Sequence, residues 1–129
     1  IQETVPEMVG IGPFIPHRET PLGSHPAGSL RTTVLLIAIV RLMLPDALIP
    51  STTALATLSP SGRMDSILSG ANVIMPNLSP GNVRARYEIY EGKACSGSEA
   101  VEGLRTLEME MASIGYKIDY SRGDYNGKI

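Results

Sequence analysis

Apolar residues fall into a few short runs punctuated by glycine and proline, with two longer runs of different character. Thr4 to Ile11 is short and apolar, and Gly10, Gly12 and Pro13 close it, so it reads as a buried strand. Pro16 to Gly28 follows as a long loop in which proline, glycine and charged residues permit no period. Leu30 to Leu44 reads as a helix, with Ser29 as its N-cap and Pro45 as its stop. Its stretch from Val34 to Leu44 is apolar on every side except at Arg41. Such a helix is covered on both faces in its parent structure, or it exposes a sticky surface. Ala47 to Ile49 is too brief to alternate, and a strand between two helices is its simplest reading. A modest helix from Gly62 to Ser69 ends at Gly70, and Asn72 to Met75 makes a third strand.

The second half is less regular. Asn82 to Tyr90 reads as a short helix, and Ser96 with Glu99 forms a capping box for a longer one. Val101, Leu104, Leu107, Met111 and Ile114 are the apolar stripe of that last helix. Glu99, Glu102, Arg105, Glu108 and Glu110 are expected to face water, and Gly115 to end it. Tyr116 to Tyr120 is read as a terminal strand and residues 121–129 as a loose tail. The order β-loop-α-β-α-β makes the fold class α/β. Chemistry in such folds sits on loops leaving the carboxyl ends of parallel strands. Here those loops hold Met8 to Pro13, Thr52 to Thr53, and Met75 to Asn77.

Composition narrows the picture by exclusion. The 129 residues carry 11 Lys and Arg against 13 Asp and Glu, a net charge of -2. Residues 1–97 hold seven of each sign, so no basic face for nucleic acid or anionic lipid stands out. The apolar run from Val34 to Val40 is far below the roughly 20 residues of a bilayer span. A single cysteine, Cys95, rules out an internal disulfide and fits a reducing, cytoplasmic setting. The chain opens at Ile1, inside what reads as folded sequence, and is expected to be a piece of something longer.

Candidate chemistry is sparse. His17 and His25 share one proline-rich loop without a second ligand at a metal-binding spacing, and read as exposed loop residues. Gly10-x-Gly12 followed by proline is not a dinucleotide fingerprint, which needs a helix directly after its glycines. Thr52 and Thr53 offer two hydroxyls and two backbone N–H groups at a strand end. They either fix a turn or hold a carboxylate or other small anion. Met8 and Met75 suit a strand core or a pocket for soft, flat ligands alike. Cys95 alone reads as an inert thiol.

Four runs carry a resemblance. MVGIGPFIPHRETPL (Met8 to Leu22), LIPSTTALATL (Leu48 to Leu58), GANVIMPN (Gly70 to Asn77) and YEIYEGKAC (Tyr87 to Cys95) closely resemble the HydE family of [FeFe]-hydrogenase maturases. These are radical S-adenosylmethionine enzymes related to biotin synthase and methylornithine synthase. The likeness runs in order from Val5 to about Cys95 and weakens after it. Its first run is the most specific, because biotin synthase carries a different loop before its own Thr-Pro-Leu. The resemblance implies a (β/α)8 barrel, of which residues 1–120 would supply the last three β/α units, a C-terminal helix and the region associated with biotin and thiamin synthesis proteins.

On that template, Met8 and the backbone of Val9 and Gly10 line the adenosyl site for S-adenosylmethionine. Thr52 and Thr53 match a threonine pair that binds an anion or substrate carboxylate. Met75 and Tyr90 face the cavity where a small-molecule substrate reacts. The family's [4Fe-4S] cluster is held by a CxxxCxxC loop after the first strand, and this chain lacks one. An optional second cluster fails too: Cys95 matches its first ligand, but Gly103 and Thr106 stand at the others. The resemblance therefore implies pocket walls without a cluster, inactive alone, with open sheet edges that favour self-association.

Overall fold

The computed structural model describes residues 5–76 and 100–125. Four helices and a two-stranded parallel sheet are placed: α1 (Leu30–Met43), β1 (Pro50–Ser51), α2 (Thr53–Leu58), α3 (Gly62–Leu68), β2 (Val73–Ile74) and α4 (Ala100–Ser113). The fold is α/β, as expected, with β1 and β2 joined through α2 and α3 in the manner parallel strands require. The expected helix at 82–90 and the Ser96–Glu99 capping box lie outside the described residues. No helix among those described is long and apolar enough to cross a membrane.

The first expected strand shrinks to one bridge, Met8 to Leu48, also parallel. Leu48 N donates to the Glu7 carbonyl and Val9 N to the Leu48 carbonyl, both at 2.9 Å. The next bond of a parallel ladder would need the amide of residue 50. That residue is Pro50, which has no N–H, so pairing stops there. The second strand sits later than expected, at 50–51 instead of 47–49. Ahead of it the Asn72 side chain replaces a ladder partner, accepting from Ile49 N at 2.8 Å. The third strand falls within its expected span.

Period-two alternation sorts the extended segments into two faces. Val9, Ile11, Ala47, Ile49 and Ile74 pack into a core with Ile37 and Val40 of α1, its C-cap Leu44, Leu55 of α2, Ile67 of α3 and Met111 of α4. Ser51 shares that side: Ser66 Oγ on α3 lies 2.7 Å from Ser51 Oγ and also donates to the Arg63 carbonyl at 2.7 Å. Met8 pairs with Leu48 and Pro50 with Val73 on the opposite face. Helix α2 was not expected. At six residues it is too short to stand on propensity, and its one buried side chain, Leu55, fastens it to the core.

Helix ends follow the sequence signals closely. Ser29 Oγ accepts from Thr32 N at the start of α1. At the end of α3, Gly70 takes φ +117°, with Gly70 N bonded to the Ile67 carbonyl and Ala71 N to the Ser66 carbonyl. That double bond is a Schellman cap. Helix α4 ends the same way, through Gly115 N to Ala112 and Tyr116 N to Met111. Residues 116–120 form no strand, contrary to expectation: Tyr120 OH instead donates to Glu108 at 2.7 Å, and that carboxylate raises the phenol's pKa. Glu110 departs from expectation too, being drawn into an ion pair with Arg63 at 2.8 Å that ties α4 to α3.

Arg41, the one charge in the apolar run of α1, clasps two loops that feed the strands. Its Nε donates to the Gly70 carbonyl at 2.8 Å and its Nη1 to the Pro45 carbonyl at 2.7 Å. Any side chain at residue 70 would meet Arg41 Cβ and Cγ within 2.8 Å, a second reason for glycine there. Arg41→Met should lower unfolding free energy in urea by about 1–2 kcal/mol, because the part-buried Gly70 carbonyl and the exposed Pro45 carbonyl lose a charged donor. Arg41→Lys should recover little of it, since an ammonium cannot reach both carbonyls from one plane. A loss below about 0.5 kcal/mol in the methionine variant would show the clasp to be idle.

Candidate functional site

The carboxyl ends of the first segment and β1 converge where their ladder ends. From Met8 to Ile15 exposure alternates strictly: Val9, Ile11, Pro13 and Ile15 are half-buried, while Met8, Gly10, Gly12 and Phe14 are exposed. The open face therefore presents two glycines beside β1. Gly12 is the close approach: a methyl there would sit 3.1 Å from Thr52 Oγ1. Gly10 has nothing within 4 Å of the same construction, so the space above it is open.

Thr52 is the N-cap residue of α2, yet its hydroxyl makes no cap bond. Its Oγ1 is buried and has no hydrogen-bond partner among the described residues. An unpartnered buried hydroxyl costs on the order of 1–3 kcal/mol, so the protein holds it there at a loss. Thr53 begins α2 instead of sitting in a turn, and its carbonyl accepts from Thr57 Oγ1 at 3.0 Å. The pair is thus split in role, with Thr52 at the junction and Thr53 built into the helix.

The other expected residues divide similarly. Met8 is 51% exposed on the open face, and Met75, two residues beyond Val73, is 50% exposed. Val9 turns its side chain into the core and spends its amide on Leu48, which leaves its carbonyl as the group available to a ligand. Tyr90 lies outside the described residues. A cavity of about 520 Å³ is lined by Met8, Leu48, Val73 and Ile74, by Met111 of α4 and by Lys117 of the C-terminal segment, among others. Of the expected site residues that are described, Met8 alone reaches it; Thr52, Thr53 and Met75 do not. Among the described residues no three of His, Cys, Asp and Glu gather as a metal site would need.

No protein-family profile matches the chain. Over 89 residues, 69% of its length, it is 49% identical to the [FeFe] hydrogenase maturase subunit HydE of Thermotoga maritima. That stretch is HydE-like. The chain spans 26% of the length of this HydE relative, so the likeness concerns a quarter of that protein. Sequence reasoning missed Gly12 as the neighbour of Thr52, and no local signal could have found it: forty residues separate the two.

Thr52→Val tests the junction without ligand. Removing a hydroxyl without a partner among the described residues should leave stability unchanged or raise it by about 1 kcal/mol in urea denaturation, whereas Ser66→Ala should cost about 1–2 kcal/mol by removing the bonds from Ser66 to Ser51 and the Arg63 carbonyl. A loss above about 1 kcal/mol for Thr52→Val would show that the hydroxyl is satisfied within the folded chain.

Proposed function

We propose that this chain forms one wall of the reaction chamber of a HydE-like radical S-adenosylmethionine enzyme. In this reading it supplies three neighbouring β/α units of a (β/α)8 barrel, and its open sheet face looks into that barrel. The buried Thr52 hydroxyl beside Gly12 carries the proposal, because it marks a polar contact that the described residues do not complete. The 49% identity to the HydE maturase supports the enzyme class and hydrogenase maturation as its purpose.

The residues suit the S-adenosylmethionine side of such a site. Met8 offers a polarizable, exposed thioether to a flat base, and Gly10 leaves room for it next to backbone. Thr52 would donate its hydroxyl to a carboxylate, of the cofactor or of a small substrate, while Met75 and Tyr90 would bound the space around it. When bound, the cofactor supplies a carbon-centred radical by one-electron cleavage of its sulfonium. The work of this chain is to orient and shield, and it contributes no acid–base pair.

An iron–sulfur cluster does not fit this chain. A family-type [4Fe-4S] needs three thiolates, and 129 residues contain Cys95 alone. In this reading the cluster is held by sequence outside these 129 residues. Assayed alone with S-adenosylmethionine, iron, sulfide and dithionite, the chain should yield no 5′-deoxyadenosine.

Replacing the matching 89 residues of the Thermotoga maturase with those of this chain supplies the decisive assay. The chimera should retain S-adenosylmethionine cleavage, and Thr52→Val within it should lower the rate about tenfold, equivalent to one lost hydrogen bond to a charged group. A chimera that keeps its cluster absorbance but yields no 5′-deoxyadenosine contradicts the proposal.

A further inference from the structure

Asn72 stands one residue ahead of β2 and has no task in the site described above. It holds Ile49 from two directions: Asn72 N donates to the Ile49 carbonyl at 2.9 Å, and its Oδ1 accepts from Ile49 N at 2.8 Å. In an unbroken parallel ladder Ile49 N would donate to the carbonyl of residue 71. The chain has only just left the cap of α3 at Gly70, and the Asn72 side chain takes that carbonyl's place. Moved one residue either way, Oδ1 would face Leu48 or Pro50. Leu48 N already donates to the Glu7 carbonyl at 2.9 Å, and Pro50 has no N–H. Neither slipped register gives the Asn72 carbonyl oxygen a donor, so this side chain selects one alignment of β1 on β2.

That alignment reaches the site. Beyond Leu48, Pro50 denies β1 a rung to the first segment, and β1 pairs with β2 through two residues, Pro50 with Val73 and Ser51 with Ile74. Among the described residues, the stretch that ends in Thr52 is therefore paired into the sheet from one side, and the Asn72–Ile49 contact is where that side begins. We propose that Asn72 is a positioning residue: by locking Ile49 onto β2 it sets where the Thr52 hydroxyl, three residues further on, stands beside Gly12. It acts through Thr52 instead of on a ligand. The inference rests on the proposed function, which makes that hydroxyl a ligand contact. Residue 72 is exposed, so water can satisfy Ile49 N once the amide is gone, and Asn72→Ala should loosen the alignment without unfolding the chain.

In the Thermotoga chimera, Asn72→Ala should lower the rate of S-adenosylmethionine cleavage about fivefold, while Asn72→Asp, which keeps an acceptor in the same place, should stay within about twofold of the parent. With Thr52→Val already present, Asn72→Ala should lower the rate no further, so the two changes together cost about tenfold instead of about fiftyfold. Ile67→Val, which thins the buried core on α3, should leave the rate within about twofold. An Asn72→Ala chimera as fast as the parent overturns the inference, as does a loss that recurs unchanged in the Thr52→Val background. Equal slowing by Asn72→Asp overturns it because the acceptor would not matter, and equal slowing by Ile67→Val because lost stability would suffice. If Asn72→Ala loses the cluster absorbance, Asn72→Ser is measured in its place under the same criteria. A Thr52→Val chimera that cleaves at the parental rate removes the proposed function and this inference with it, whereas the other outcomes overturn the inference alone.

Discussion

Register between three parallel segments determines everything else in this structure. Met8 opposite Leu48, and Pro50 and Ser51 opposite Val73 and Ile74, put every second side chain under the helices. A slip of one residue would send Met8 and Leu48 into the core and turn Val9 and Ile49 out to water. Burial of Ile37, Ile49 and Leu55, each worth about 1.5–3 kcal/mol, weighs heavily against such a slip. The helices thus fix which residues remain for the open face.

Pro50 gives that register its functional shape. Without an N–H it ends the ladder to the first segment, and beyond it the two backbones are held by packing instead of pairing. Gly12 and Thr52 meet in the resulting junction, with a hydroxyl buried and unsatisfied. Other polar groups near the core find partners, Ser51 in Ser66, Ile49 N in Asn72, the carbonyls of Gly70 and Pro45 in Arg41, while Arg41 Nη2 and Arg63 Nε are, like Thr52 Oγ1, buried without one among the described residues. Of these three, Thr52 Oγ1 is the hydroxyl, and it lies beside Gly12 at the carboxyl end of β1.

Features written in adjacent residues were legible in the sequence. Ser29, Pro45, Gly70 and Gly115 mark helix ends through local chemistry, and all four act as expected. The stripe Leu107 and Met111 is buried because helical period is a local signal as well. Helix α2 was illegible because TALATL is shorter than two turns, so its period cannot declare itself. Asn72 substituting for a ladder partner, the Arg63–Glu110 pair across 47 residues, and Gly12 against Thr52 all depend on tertiary proximity. The candidate site residues Met8, Thr52 and Met75 stand out in the sequence through family resemblance alone, while their burial and register depend on tertiary packing.

Methionine oxidation reads the two faces most directly. Brief treatment of the folded chain with hydrogen peroxide, followed by peptide mass spectrometry, reports each thioether's access to solvent. The register described here predicts rapid oxidation of Met8 and Met75, about half exposed, and protection of Met111, which is 2% exposed. Slow oxidation of Met8, or a Met111 that reacts as fast as Met75, would contradict the assignment of faces and with it the account of the site.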